Sequence, residues 1–205
     1  QSRSSAASDV YKRQGQHRYN MSPTGKWAVH TFSNAATPSI IDMVSFPKHQ
    51  SVRTIEDNAD ARERYKALGL NPKEFVKVKS GNLTLDAWMI KPVDFDSTKK
   101  YPVIVEVYGE PASSTVQDVW GGGDLWNQYI ANLGYIVVSI DNRGANVPRG
   151  REWRKCIYGE VGTFASEDQA RGVQDLARQY SFIDSTRVGI TGWSGGGSLS
   201  LIHIS

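Results

Sequence analysis

The segment Val188-Gly189-Ile190-Thr191 runs into Gly192-Trp193-Ser194-Gly195-Gly196, and no other stretch limits the fold of this chain so tightly. A G-x-S-x-G match arises by chance in roughly one chain in fifteen of this length at ordinary glycine and serine usage, so the pattern alone decides little. Its setting decides more. The apolar run before it reads as a strand, and the pattern needs a tight turn that lifts the serine hydroxyl above a sheet edge. Glycines on both flanks keep Cβ atoms from colliding in that turn. A helix is expected to follow, with its first N–H groups facing any negative charge that develops beside the serine.

The chain upstream fits such a setting. Phe75–Lys79 and Leu83–Ile90 flank Ser80-Gly81-Asn82 and predict a hairpin. Val103–Val107 is a β-branched run of the kind buried on both faces, and Tyr135–Ile140 is a second. Between them Asp124–Leu133 suits a helix that Gly134 ends. Ser166 and Gln169 have capping-box spacing before an amphipathic helix to about Tyr180, and Arg187–Thr191 is the third strand. Strands and helices alternating at this spacing argue an α/β fold, a parallel sheet with helices on both faces.

The first part of the chain reads differently. His17–Asn20, Trp27–Phe32 and Ile40–Ser45 are short strands, separated by the turn Ser22-Pro23-Thr24-Gly25 and a loop over 33–39. So few strands close no core alone, so this stretch is expected to be the end of a larger β structure. Residues 59–68 favour helix, with Asn58 as cap and Gly69 as stop.

A serine hydroxyl is a weak nucleophile at neutral pH and needs a base, itself oriented by a carboxylate. On this kind of sheet the order is Ser, then Asp or Glu, then His. After Ser194 the sequence holds no carboxylate and one histidine, His203. His17, His30 and His49 lie upstream and are expected to be surface histidines. The acid and base are therefore expected in a C-terminal part beyond these residues. Residues 1–14 and 201–205 resemble translated adapter sequence and are expected to be non-native flanks, the second starting as early as Leu199.

Composition excludes other classes. Arg3, Lys12 and Arg13 against Asp9 carry two of the net +3 charges within residues 1–14, and the remainder is a mixed surface, not a nucleic-acid face. No run approaches the roughly 18 apolar residues of a membrane helix. With Cys156 as the one cysteine, a disulfide framework and a Cys-based metal site are both out, and neither cofactor nor metal is implied.

Four ordered motifs then carry a resemblance: Tyr101-Pro102 opening a strand to Val107-Tyr108-Gly109-Glu110-Pro111; Asp141-Asn142-Arg143-Gly144; Gly162 followed by Glu167-Asp168-Gln169; and Gly192–Gly196. In them the chain resembles the dipeptidyl peptidase IV branch of the prolyl oligopeptidase family of serine peptidases. The resemblance covers nearly all of residues 16–198. It implies the N-terminal part of an α/β-hydrolase fold preceded by the last strands of a β-propeller. On that scheme residues 15–57 are propeller, 58–74 a linking helical region and 75–200 the first part of the peptidase domain. It also implies a peptide substrate, Ser194 as nucleophile, and an oxyanion held by the Tyr108 phenol and the Gly195 N–H. A chain without acid and base would itself be inactive. Arg143 and Asp168 are expected to be structural, through charge-assisted hydrogen bonds and helix anchoring respectively.

Two departures bear on specificity. Dipeptidyl peptidase IV has an aromatic residue after the nucleophile, where this chain has Gly195, so the resemblance leaves open whether cleavage follows proline, alanine or another residue. Glu110 replaces a small residue in the oxyanion loop. A carboxylate aimed at an oxyanion opposes catalysis, so Glu110 is expected to point away. An esterase or acyl hydrolase on the same fold is the alternative enzyme, although Val107–Pro111 is not its usual His-Gly-Gly-Gly-like loop. A non-catalytic hydrolase-like scaffold is the alternative that the intact Ser194 argues against.

Overall fold

The structure, a computed structural model, describes residues 13–111, 113–121 and 124–202. The described chain divides into two units. One runs to Gly69 and includes the segment from Asp118; the other runs from Leu70 to Gln117 and resumes at Asp124.

The first unit is an antiparallel meander of β1 (Gln16–Met21), β2 (Trp27–Asn34), β3 (Thr37–Ser45) and β4 (Gln50–Glu56), paired in that order. The first turn closes as composition predicts: the Ser22 N–H donates to Trp27 O at 2.9 Å and Gly25 takes φ +66°. Along β2 Ala28, His30 and Phe32 are buried while Trp27 and Val29 are exposed. The loop expected over 33–39 is instead a tight hairpin. Asn34 Oδ1 accepts from the Ala36 N–H at 3.0 Å, an Asx turn that lets pairing continue on both sides. Helix α1 (Ala59–Ala67) follows, but Asn58 does not cap it. It sits at φ 49° and its Nδ2 donates to Ser39 O at 2.6 Å, tying the helix start to β3.

The three upstream histidines are gathered together, contrary to expectation. Register places Tyr19 opposite His30 and His30 opposite Asp42. His30, 5% exposed, has Nδ1 at 2.8 Å from Asp42 Oδ1 and Nε2 at 2.9 Å from His17 Nδ1. His49 Nε2 lies 2.9 Å from the Tyr19 hydroxyl. An ionised carboxylate only accepts, which assigns the His30 Nδ1 proton to the bond with Asp42. Burial pushes His30 below the ordinary imidazole value, outweighing that bond.

The second unit is built on a five-stranded sheet in the order β5-β6-β8-β7-β9: β5 (Glu74–Ser80), β6 (Leu83–Ile90), β7 (Tyr101–Val107), β8 (Ile136–Asp141) and β9 (Ile183–Gly192). β5 and β6 form the predicted antiparallel hairpin, and β6 also runs antiparallel to β8. β8, β7 and β9 are parallel, so the sheet is mixed, with its parallel part at the elbow end. Every residue of β8 is buried. β7, expected to be buried on both faces, alternates: Tyr101, Val103, Val105 and Val107 are buried, while Ile104 and Glu106 are half-buried. Glu106 is held on its partly open face by Asn127 Nδ2, which donates at 2.6 Å.

Helices cover both faces. Helix α2 (Asp124–Asn132) brings Ala131 against Trp88, Ile90 and Val137. On the opposite side Leu176 joins Val78, Leu85, Met89, Val105 and Ile140 in the larger core. Helix α3 (Gly150–Lys155) had no signal of its own in the sequence. Helix α4 (Thr163–Gln179) starts three residues before Ser166, so the predicted capping box does not form. Ser166 Oγ instead donates back to Gly162 O at 2.8 Å, and Gln169 Nε2 donates to Ile140 O at 2.8 Å. Tertiary contact with the end of β8 has displaced the local cap. Among the described residues no helix is long and apolar enough to cross a membrane.

Candidate active site

The site is set by where β7 and β9 end. Their register pairs Val107 with Gly192, so the two chain segments leave the sheet side by side. After Gly192 the chain reverses through Trp193 and Ser194 into helix α5 (Gly195–Ile202). Ser194 takes φ +56°, a region that non-glycine residues seldom enter and that costs about 1–3 kcal/mol. The turn is closed by the Gly196 N–H donating to Trp193 O at 3.0 Å and the Ser198 N–H donating to Ser194 O at 3.1 Å.

Glycine is required here by contact. A Cβ on Gly192 would stand 2.7 Å from the Gly196 backbone. One on Gly196 would strike Val107 O and come within 2.8 Å of Val107 C and 3.2 Å of Tyr108 Cα. These approaches bring the loop after β7 onto the elbow itself. Ser194 is exposed, and its hydroxyl has no partner among the described residues. Trp193 beside it is 85% exposed. Gly195 opens α5, where the leading N–H groups have no acceptor within the helix. Tyr108 is half-buried, and its hydroxyl also has no partner among the described residues.

Glu110 does not point away. The loop turns at Gly109, φ +76°, and folds back over the start of α5. The Cγ and Cδ atoms of Glu110 lie 2.6 and 2.7 Å from where a Cβ on Gly195 would stand. The side chain therefore occupies the space that a side chain at 195 would take.

Behind the site two buried carboxylates hold the loops. Asp141, at the end of β8, accepts from Ser114 Oγ at 2.6 Å and from the N–H groups of Thr115 and Val116 at 2.8 and 3.3 Å. It pins the segment downstream of Glu110, a role with no sequence signal apart from its place in the Asp141–Gly144 motif. Asp168, 0% exposed, accepts from the Arg143 N–H at 2.8 Å, from its Nε at 3.0 Å and from its Nη2 at 2.8 Å. It also accepts from Ser80 Oγ at 2.6 Å. Asp168 raises Arg143 above its ordinary value. Arg143 also stacks over Phe164, its guanidinium carbon 4.3 Å from the ring centre. Both residues thus join loops behind the elbow, and neither is among the groups around Ser194.

A parallel β8-β7-β9 core with helices on both faces, delivering a serine at positive φ between strand and helix, defines the class: this is the N-terminal part of an α/β-hydrolase fold. The model of the prolyl oligopeptidase family matches residues 123–205. Among curated proteins, dipeptidyl peptidase 8 of Mus musculus is 35% identical over 186 residues, 86% of this chain and 20% of that protein. Prolyl endopeptidase FAP of Bos taurus is 32% identical over 157 residues, 76% of this chain and 20% of that protein. The crystal structure of Porphyromonas gingivalis dipeptidyl peptidase 4 matches with a TM-score of 0.87 and 39% identity, over 92% of this chain and 26% of that one. The chain belongs to the prolyl oligopeptidase family, in its dipeptidyl peptidase IV-like branch, and the hydrolase part is preceded in sequence by the last strands of a β-propeller. It spans about a fifth of the length of the curated relatives it matches.

Proposed function

We propose that this chain carries the nucleophile and oxyanion site of a serine peptidase that releases short, dipeptide-like products from peptide chains. The observation that carries the reading is Ser194 at φ +56° between Gly192 and Gly196, at each of which a Cβ would collide with backbone. Residues 15–57 are read as propeller, 58–74 as the link and 75–200 as the peptidase domain, with 1–14 and 201–205 as non-native flanks.

Ser194 Oγ attacks the peptide carbonyl while its proton passes to a histidine base. The carbonyl oxygen becomes an oxyanion held by the Gly195 N–H and the Tyr108 phenol. Collapse breaks the C–N bond, the base returns the proton to the leaving amine, and an acyl ester remains on Ser194. Water then attacks that ester with the same base taking its proton, releasing the acid and restoring the serine.

After Ser194 these 205 residues hold no carboxylate and one histidine, His203, so on this reading they do not turn over substrate by themselves. Intact enzyme should hydrolyse a Gly-Pro or Ala-Pro chromogenic amide, and Ser194→Ala should abolish that activity. Equal turnover by Ser194→Ala, or turnover by residues 1–205 alone above a Ser194→Ala control, would sink the respective half of the reading.

A further inference from the structure

We propose that Glu110 is a specificity-determining residue that selects substrates with a cationic side chain on the residue whose carbonyl is attacked. This deepens the proposed peptidase reading and rests on it.

The argument starts from the contact between two departures from the family pattern. Glu110 Cγ and Cδ stand 2.6 and 2.7 Å from a Cβ position on Gly195, the residue after the nucleophile. Gly195 also supplies the backbone donor for the oxyanion in the proposed mechanism. The Glu110 carboxylate therefore lies next to the place where negative charge develops. Among the described residues its side chain has no hydrogen bond and no ion pair, unlike the carboxylates of the strands and loops behind the site, Glu106, Asp141 and Asp168. It is half-buried, so water screens it only in part.

An unpaired carboxylate in that position repels the oxyanion and slows acylation of a neutral substrate. A cationic substrate side chain removes the repulsion and adds an attraction. The acyl residue is the part of the substrate held beside Gly195 throughout, from attack to release of the acid. Its side chain is therefore the group that meets Glu110. Because the repulsion grows as the oxyanion forms, the selectivity appears in kcat/KM and extends into kcat.

The test compares dipeptidyl amides that carry Lys, Met or Glu before the cleaved bond, using intact enzyme whose active fraction is titrated with a fluorophosphonate. Wild type should favour Lys over Met by about tenfold or more, with Glu the poorest. Glu110→Gln should bring Lys and Met to within a few-fold, chiefly by raising kcat for Met. Glu110→Lys should reverse the order and favour Glu. A Lys-to-Met ratio that neither substitution moves, in enzyme that still titrates at Ser194, would overturn the specificity role and leave the peptidase reading standing. Enzyme that does not titrate at Ser194 would overturn both.

Discussion

Glu110 fills the space that a side chain on Gly195 would occupy, and the two positions are complementary in volume. Two changes that look independent along the chain are therefore one change in space. Placing Tyr at 195 alone must push the Glu110 side chain aside, while placing it beside Glu110→Gly meets an open site. A double-mutant cycle of Gly195→Tyr and Glu110→Gly, measured by urea denaturation of the intact protein, should give favourable coupling of about 0.5–3 kcal/mol. Additive effects would mean that the contact carries no energy.

Removing Arg143 leaves Asp168 buried with two of its strongest donors gone. Asp168 is 0% exposed and keeps only Ser80 Oγ and the backbone N–H at 143. Arg143→Ala should cost about 3–5 kcal/mol, because the remaining charge has lost its partner. Replacing both residues with apolar side chains of similar volume should cost less than the single change. A loss below about 1 kcal/mol for Arg143→Ala, the range of an exposed pair, would contradict the buried-bridge description.

His30 makes the first unit sensitive to acid. Its folded pKa lies below the ordinary value near 6.5, so the unfolded chain binds the proton more readily. Stability is therefore full above pH 6.5 and falls as pH drops through 6.5 toward the lower folded value, where the loss levels off. His30→Asn should flatten that part of the pH profile of urea midpoints, with Asp42→Asn as a control that leaves the imidazole in place. An unchanged slope between pH 7 and 5 in His30→Asn would contradict the assignment.

Tyr108 follows β7 on the loop that abuts Gly196, and its hydroxyl is free of partners among the described residues. Tyr108→Phe keeps the ring and deletes the hydroxyl proposed as an oxyanion donor. Turnover should fall roughly a hundred- to a thousand-fold with little change in KM, as loss of a donor used mainly in the transition state does. Turnover within a few-fold of wild type would return Tyr108 to a packing role.

What the sequence disclosed, and what it hid, follows the range of the forces involved. The elbow was legible because its glycines recur at fixed spacing around a serine, although the contacts that demand them at 192 and 196 include the distant Val107; β8 was legible as a buried apolar run, whereas the similar run of β7 alternates. Asn58 and Ser166 were misread as caps because each side chain has a tertiary or backbone partner that wins over the local one: Ser39 O for Asn58 and Gly162 O for Ser166. The histidine cluster depends on the register of β1, β2 and β3, which sets neighbours 12 or 13 residues apart and leaves no mark on spacing. Glu110 was expected to turn away on electrostatic grounds alone. The turn at Gly109 and the empty place at Gly195 decide its direction instead.

The central claim is that Ser194 is the acylated nucleophile of this site. Its most direct test is reaction of the intact protein with a fluorophosphonate, followed by peptide mass spectrometry. The account predicts one label per chain, located on the peptide that contains Ser194, and none on Ser194→Ala. Labelling that persists undiminished in Ser194→Ala, or that maps to another residue, would contradict it.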